Sequence, residues 1–188
     1  MRLRKTVGVL FAGILATCFM TAAAPAAHAD PTPPPADQWA ELFLPFNNPG
    51  NHKCADIPSG TSSHSEHLQV FHCHGYASNG GPQRFRLIPV PDGTYRIQNF
   101  ANNLCMVPDS IPPLVHQDVC DPANVAFRWQ IIPTPINPDA FRLRNPAIGG
   151  CLGVLNVPVQ DHDQLRLRGC DNSTVLTTEL QRQLWMFG

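Results

Sequence analysis

The sequence predicts an all-β fold assembled from three related units, and three observations carry that prediction. Short apolar–polar alternations are bounded by Pro, Gly, Asn and Asp; no sustained helical apolar period appears; and three segments align on a cysteine. Alternation between turn formers marks strands, because successive side chains of a strand point to opposite faces. "YRIQNF", "FRLRNP", "LQVFHC" and "QLRLRGC" read this way. In "FRLR" the period puts Phe141 and Leu143 on one face and Arg142 and Arg144 on the other.

The first element in the chain is not part of that fold. Arg2, Arg4 and Lys5, an apolar run "TVGVLFAGILATCFMTAAA" and the pattern "AHA" before Asp30 read as a signal peptide over residues 1–29. A membrane anchor wants about 20 apolar residues between polar flanks, and this run ends in Ala and Pro instead. Lipidation at Cys18, in "LATC", is the alternative to cleavage after Ala29. Residues 30–40 begin with the proline-rich "DPTPPPADQ", an extended tether, and residues 41–188 form the folded domain. The expected location is therefore extracellular, with no membrane partner after signal cleavage.

Removing 29 of the 188 residues leaves 159, enough for one domain with a real core. Three of the 13 basic residues leave with the signal and all 14 acids stay, so the net charge becomes −4. A binder of phosphate backbones needs a clustered positive surface, which excludes nucleic acid as the expected partner. Removing Cys18 from seven cysteines leaves six, an even number in a chain bound for an oxidising compartment.

The repeats order these cysteines. "LPFNNPGNHKCADI" (44–57), "YRIQNFANNLCMVP" (95–108) and "FRLRNPAIGGCLGV" (141–154) each place an asparagine six residues before the cysteine: Asn48, Asn99 and Asn145. Leu44, Tyr95 and Phe141 stand ten residues before it. Cys73, Cys120 and Cys170 follow, and each unit closes on an aromatic triplet, "QRF", "FRW" or "QLW". The repeats run over about 41–91, 92–138 and 139–188. One such unit cannot bury its own apolar face, whereas three packed around an axis can. The repeat pairs Cys54 with Cys73, Cys105 with Cys120 and Cys151 with Cys170, each closure being worth about 3 kcal/mol in the chain-entropy model.

Three cysteine-anchored copies ending in a Gln-x-Trp-like triplet resemble the ricin-type β-trefoil lectin family, over about 41–188. The resemblance implies a β-trefoil with three pseudo-symmetric repeats and intra-repeat disulfides, and a core filled by Phe85, Trp129 and Trp185. It also implies a sugar site made from an acid two residues after the first cysteine, an aromatic two before the second, and an amide beside the Gln. A carboxylate accepts hydrogen bonds from vicinal hydroxyls, an aromatic ring packs on the C–H face of the sugar, and an amide completes the polar set.

Only the first repeat fits this pattern, and in part. Asp56 holds the acid position, Phe71 the aromatic one and Gln83 the Gln, but Pro82 replaces the amide, for which nearby Asn79 is the candidate. The second repeat has Val107, Asp118, Ala126 and Phe127 at these places, and the third has Gly153, Arg168, Arg182 and Gln183. Asp56 has an alternative role as a local turn residue, and alternation in "LQVFHC" leaves the direction of Phe71 open.

The resulting expectation is a secreted carbohydrate-binding module with one partly intact site. Its partner would be a galactose-like residue or a plant or cell-wall polysaccharide residue. The rival is a trefoil scaffold without sugar binding, a protein-interaction module acting as inhibitor, toxin accessory or adhesin. It is motivated by the long first and third repeats, with 29 and 32 residues from first cysteine to Gln, against 22 to the equivalent Phe127 in the second. "HSEH" and "HCH" offer zinc-type ligands, but Cys73 is claimed by a disulfide, so neither metal nor cofactor is expected. Asp161 and Asp163 in "QDHDQ" are two acids in a polar loop, and no nucleophile–base pattern accompanies them, so no catalytic residue and no enzyme activity are expected.

Overall fold

The structure, a computed structural model of the chain, describes residues 38–46, 52–75 and 81–188. The expected signal peptide, Asn48 and Asn79 lie outside the described residues, as does most of the tether. The first repeat contributes β1 (Ala40–Leu44), β2 (Lys53–Asp56), β3 (Gln69–His72) and β4 (Arg84–Pro89). The second contributes β5 (Tyr95–Asn99), β6 (Cys105–Pro108), β7 (Val115–Asp118) and β8 (Gln130–Pro133). The third contributes β9 (Phe141–Arg144), β10 (Cys151–Gly153), β11 (Arg166–Arg168) and β12 (Met186–Phe187), with one helical turn, α1 (Thr178–Gln181). Folded structure begins just inside the expected tether: β1 takes Ala40, and Trp39 packs edge-on against Phe100 at 5.1 Å.

Six strands close a barrel. Ladders join β1 to β4, β4 to β5, β8 to β9 and β12 to β1. The remaining two seams are narrow bridges, Tyr95 to Trp129 and Phe141 to Trp185, each with reciprocal backbone hydrogen bonds of 2.8–2.9 Å. The hairpins β2–β3, β6–β7 and β10–β11 cap one end. A ring of three backbone hydrogen bonds locks them together: Leu68 N–H to the Val115 carbonyl, Val115 N–H to Leu165, and Leu165 N–H to Leu68, at 2.8, 2.9 and 2.9 Å. Barrel, cap and pseudo-threefold axis make a β-trefoil.

The repeated residues explain why each unit folds alike. Phe85, Trp129 and Trp185 are fully buried at the barrel centre among Leu42, Leu143 and Leu152. The two indoles donate to carbonyls of the neighbouring hairpins, Trp129 to Met106 at 3.1 Å and Trp185 to Leu152 at 3.0 Å, which meets their polar requirement inside the core. Asn99 and Asn145 are buried and join one repeat to the next. Asn99 donates to the Pro82 and Arg84 carbonyls (2.9 and 3.2 Å), and Asn145 to those of Ala126 and Arg128 (2.8 and 3.1 Å). Each disulfide closes one repeat, with Cα atoms 5.0 Å apart.

Burial settles the strand faces. Leu68 and Val70 point into the core, so Gln69 and Phe71 share the outer face. Arg142 stands opposite Phe141 and Leu143, yet it is also buried, because the Asp171–Asn172 segment covers it and accepts from its guanidinium.

Candidate functional site

A cleft of about 450 Å³ opens beside the β2–β3 hairpin of the first repeat. Register builds its floor: Asp56 at the end of β2 pairs with Gln69 on β3, and Cys54 pairs with Phe71 two residues on. The disulfide at Cys54 and Cys73 holds this hairpin, so acid, amide and ring are fixed relative to one another. Phe71 forms one wall and His74 another. The rim is the 3-10 turn Pro58–Gly60, anchored where the Ile57 N–H donates to the Pro82 carbonyl at 3.2 Å. Gly60 has φ +62°, and a Cβ there would meet the Pro82 ring at 3.0 Å, so the turn closes against Pro82 only with glycine.

Asp56 is 5% exposed, and Gln69 Nε2 donates to its Oδ2 at 2.8 Å. Burial pushes the Asp56 carboxyl above its ordinary value, while Gln69, Gln83, His74 and His162 work in the opposite direction. An ionised carboxylate offers more acceptor positions than the Gln69 and Gln83 amides fill, which leaves capacity for a ligand hydroxyl.

Gln83 does not line the cleft. It is fully buried, accepting from the His74 N–H at 2.8 Å and donating to the His72 carbonyl at 3.0 Å, so its amide staples the strand around Cys73. Gln183 does the same in the third repeat, bridging the Asp171 N–H (3.0 Å) and the Gly169 carbonyl (2.7 Å) around Cys170. In the second repeat Phe127 replaces the staple with an apolar cluster of Cys105, Val107 and Cys120. Pro82, at the amide position, contributes a wall and a carbonyl that accepts from Ile57 and Asn99. Asn79 lies outside the described residues.

Three polar lining residues, His74, Gln69 and His162, were not among the site residues expected from the sequence. Gln69 shares an outer face with Phe71, a signal already present in the strand period. His162 enters from the third repeat, on the loop before β11. Its Nδ1 is 3.0 Å from Gln69 Oε1, and its ring is 5.0 Å from that of Phe71.

The acids beside it have other work. Asp161 accepts from Lys53 at 2.6 Å; burial, the largest single effect, raises its carboxyl, but the hydrogen bond and charge of Lys53 and the hydrogen bonds of His72 together hold it below the ordinary value. Asp163 caps its own loop, accepting from the Gln160 N–H at 2.9 Å and Asn156 at 2.8 Å. Among the described residues the single compact group of metal-type ligands is Glu41 with Cys54 and Cys73, whose sulfurs are joined to each other.

The other two equivalent positions are filled. Val107 is buried under Phe127, while Asp118 pairs with His64 at 3.0 Å. At Gly153 a Cβ would stand 2.6 Å from the Arg182 carbonyl, and the space above is taken by Arg168, paired with Glu179 of α1 at 2.6 and 2.9 Å.

Three solved structures that share this fold are distant in sequence. The designed three-fold symmetric protein ThreeFoil superposes with a TM-score of 0.64 at 16% identity, covering 79% of this chain and 96% of that one. The Haemophilus ducreyi cytolethal distending toxin gives 0.62 at 15% identity, covering 88% and 87%. The C-half of the earthworm R-type lectin, solved in complex with GalNAc, gives 0.56 at 9% identity, covering 80% and 99%. A search of curated protein sequences returns no significant match. The sequence profile of the ricin-type β-trefoil lectin domain matches residues 43–175. That match spans most of the chain and takes in all six paired cysteines, and the chain belongs to the ricin-type β-trefoil lectin domain family.

Proposed function

We propose that the chain is a secreted carbohydrate-binding module with one working site, in the first repeat. One observation carries this reading: a buried carboxylate, Asp56, faces a cleft beside a part-exposed ring, Phe71, at the one equivalent position left open. Asp56 accepts from a pair of sugar hydroxyls in a charge-assisted geometry. Phe71 packs against the sugar C–H face, and Gln69 keeps the carboxylate oriented and stabilises its charge. Nothing in this set supplies a nucleophile with its base, and Asp161 and Asp163 are engaged in an ion pair and a loop cap, so the site binds without catalysing. The ligand is a galactose-like residue or a plant or cell-wall polysaccharide residue, and a single shallow site gives weak affinity. Secretion follows from the expected signal peptide over 1–29.

Titration of the 15N-labelled protein with galactose, arabinose and xylose tests this reading. Amide shifts are expected at Ala55–Gly60 and Gln69–His72. Phe71→Ala should weaken binding about fivefold, the loss of one ring contact of roughly 1 kcal/mol. No shift in that region with any of the three sugars sinks the proposal.

A further inference from the structure

The trefoil's cyclic packing hands each hairpin's pocket a residue from the neighbouring repeat. The bridges Gln69–Gln164, His67–His116 and Leu114–Arg166 are related by the pseudo-threefold axis. Two residues before Gln164, His67 and Leu114 stand His162, Ser65 and Pro112. All three lie eight residues before the second cysteine of their repeat. His162 is delivered to the first-repeat pocket, Ser65 to the second and Pro112 to the third. The backbone is the same at the first two: His162 N–H donates to the Val70 carbonyl and Ser65 N–H to that of Gln117, both at 2.8 Å, with φ of 70° and 63°. Because the fold accepts Ser and Pro at this position, it does not require an imidazole there. The histidine occurs opposite the one pocket that also holds an acid and an outer-face aromatic.

We propose that His162 is a ligand-contacting residue of the first-repeat cleft, with its tautomer fixed by Gln69, and that it makes recognition of a neutral vicinal diol proton-dependent. This rests on the carbohydrate reading of the site. Hydrogen-bond logic fixes the tautomer. An ionised Asp56 can only accept, so Gln69 turns its Nε2 toward it, at 2.8 Å. Gln69 Oε1 then faces His162 Nδ1 at 3.0 Å and can only accept, so Nδ1 carries a proton in both charge states of the ring. The whole titration therefore falls on Nε2, which has no hydrogen-bond partner among the described residues. Neutral His162 presents a lone pair there. Together with Asp56 it gives two acceptors, which suits a ligand donating from adjacent hydroxyls. Proton uptake turns one acceptor into a charged donor and opposes that match.

Charged and titratable groups face His162 from each neighbouring element, and His74 lines the same cleft. From β2, Asp56 interacts with it electrostatically, and Lys53 is paired with Asp161, the residue before it, at 2.6 Å. From β3 and the residues after it come His72, 3.5 Å from Asp161, and His74. On its own loop Asp163 is bound to Gln160 and Asn156.

Two measurements on the intact 15N-labelled protein test the proposal. Long-range 1H–15N spectra, assigned with His162→Gln, should show the Nδ1–H tautomer of His162 in the free protein at pH 8, and Gln69→Ala should release it to a tautomer mixture. Galactose affinity in the wild type should fall about fivefold between about pH 8 and 5.5, the loss of one hydrogen bond. His162→Gln, which keeps an amide in place of the ring, should bind with that step removed. An Nε2–H tautomer in the free protein overturns the inference. Galactose binding whose pH step survives in His162→Gln overturns it while leaving the carbohydrate reading intact. A fixed Nδ1–H tautomer with no sugar response at any pH overturns the carbohydrate reading, and the contact role with it.

Discussion

One register position holds Asp56 in the first repeat and Gly153 in the third, and the two pockets around it use acids in opposite ways. In the first, the acid is largely buried at the cleft, held by the amides of Gln69 and Gln83, and burial raises its carboxyl pKa. In the third, the acid is Glu179, brought in by α1 on the long segment between Cys151 and Gln183. Hydrogen bonds from Arg168 lower its pKa, with Gln183 and the charges of Arg168 and Arg182 adding to the effect. Arg182 and Gln183 donate to it at 3.0 and 2.9 Å. The first pocket keeps a charged group at a cost and stays open. The third gains stability from its charged group and is plugged. The cost in the first pocket supports the ligand role proposed for Asp56.

The comparison breaks most visibly if the third pocket is given the first pocket's acid. Gly153→Asp forces a Cβ against the Arg182 carbonyl, so it should destabilise the protein by about 3 kcal/mol in denaturant unfolding and confer no second sugar site. A variant as stable as wild type would show that the third pocket is not sterically closed. Next in size, Asp56→Asn should lower sugar affinity about 30-fold by titration calorimetry, because the charge-assisted acceptor is lost. Its effect on folding has the opposite sign. A carboxyl raised above its ordinary value of 3.8 contributes stability at low pH that is lost as pH rises through the folded value. Asp56→Asn should therefore be more stable than wild type at neutral pH, and that part of the pH dependence should vanish. The smallest effect is expected for Glu179→Gln, about 1 kcal/mol in thermal unfolding, since the ion pair is part-exposed. Glu179 has a lowered pKa, so its contribution is present above the ordinary value of 4.5 and lost as pH falls through the folded value. The two variants should thus depart from wild-type stability in opposite directions at neutral pH and converge on it as pH falls.

Features that recur as a residue type at a fixed spacing were legible in the sequence. The asparagine six residues before each first cysteine marks the amide that ties repeats at Asn99 and Asn145, and the closing aromatic marks the barrel core. Gln83 was legible as a repeated residue but not in its role. The same spacing that flags it as a site residue also serves a staple for the hairpin, as the identical bonding of Gln183 shows. Asp161 and Asp163 could not be sorted from sequence either, because Lys53, the partner of one, lies more than a hundred residues away.

By itself, the sequence determined the all-β class, the three units, the pairing of six cysteines and the single acid at the equivalent position. Each is recorded as a residue type at a fixed spacing, because each depends on bonds made inside one repeat. Tertiary structure alone decided that the cleft is shared between repeats, with His162 reaching Gln69 across 93 positions, and that Arg168 and Glu179 close the third copy. Those outcomes depend on packing around the pseudo-threefold axis, which places loops of different repeats side by side, so a repeated spacing marks a position without showing which residue of another repeat it meets.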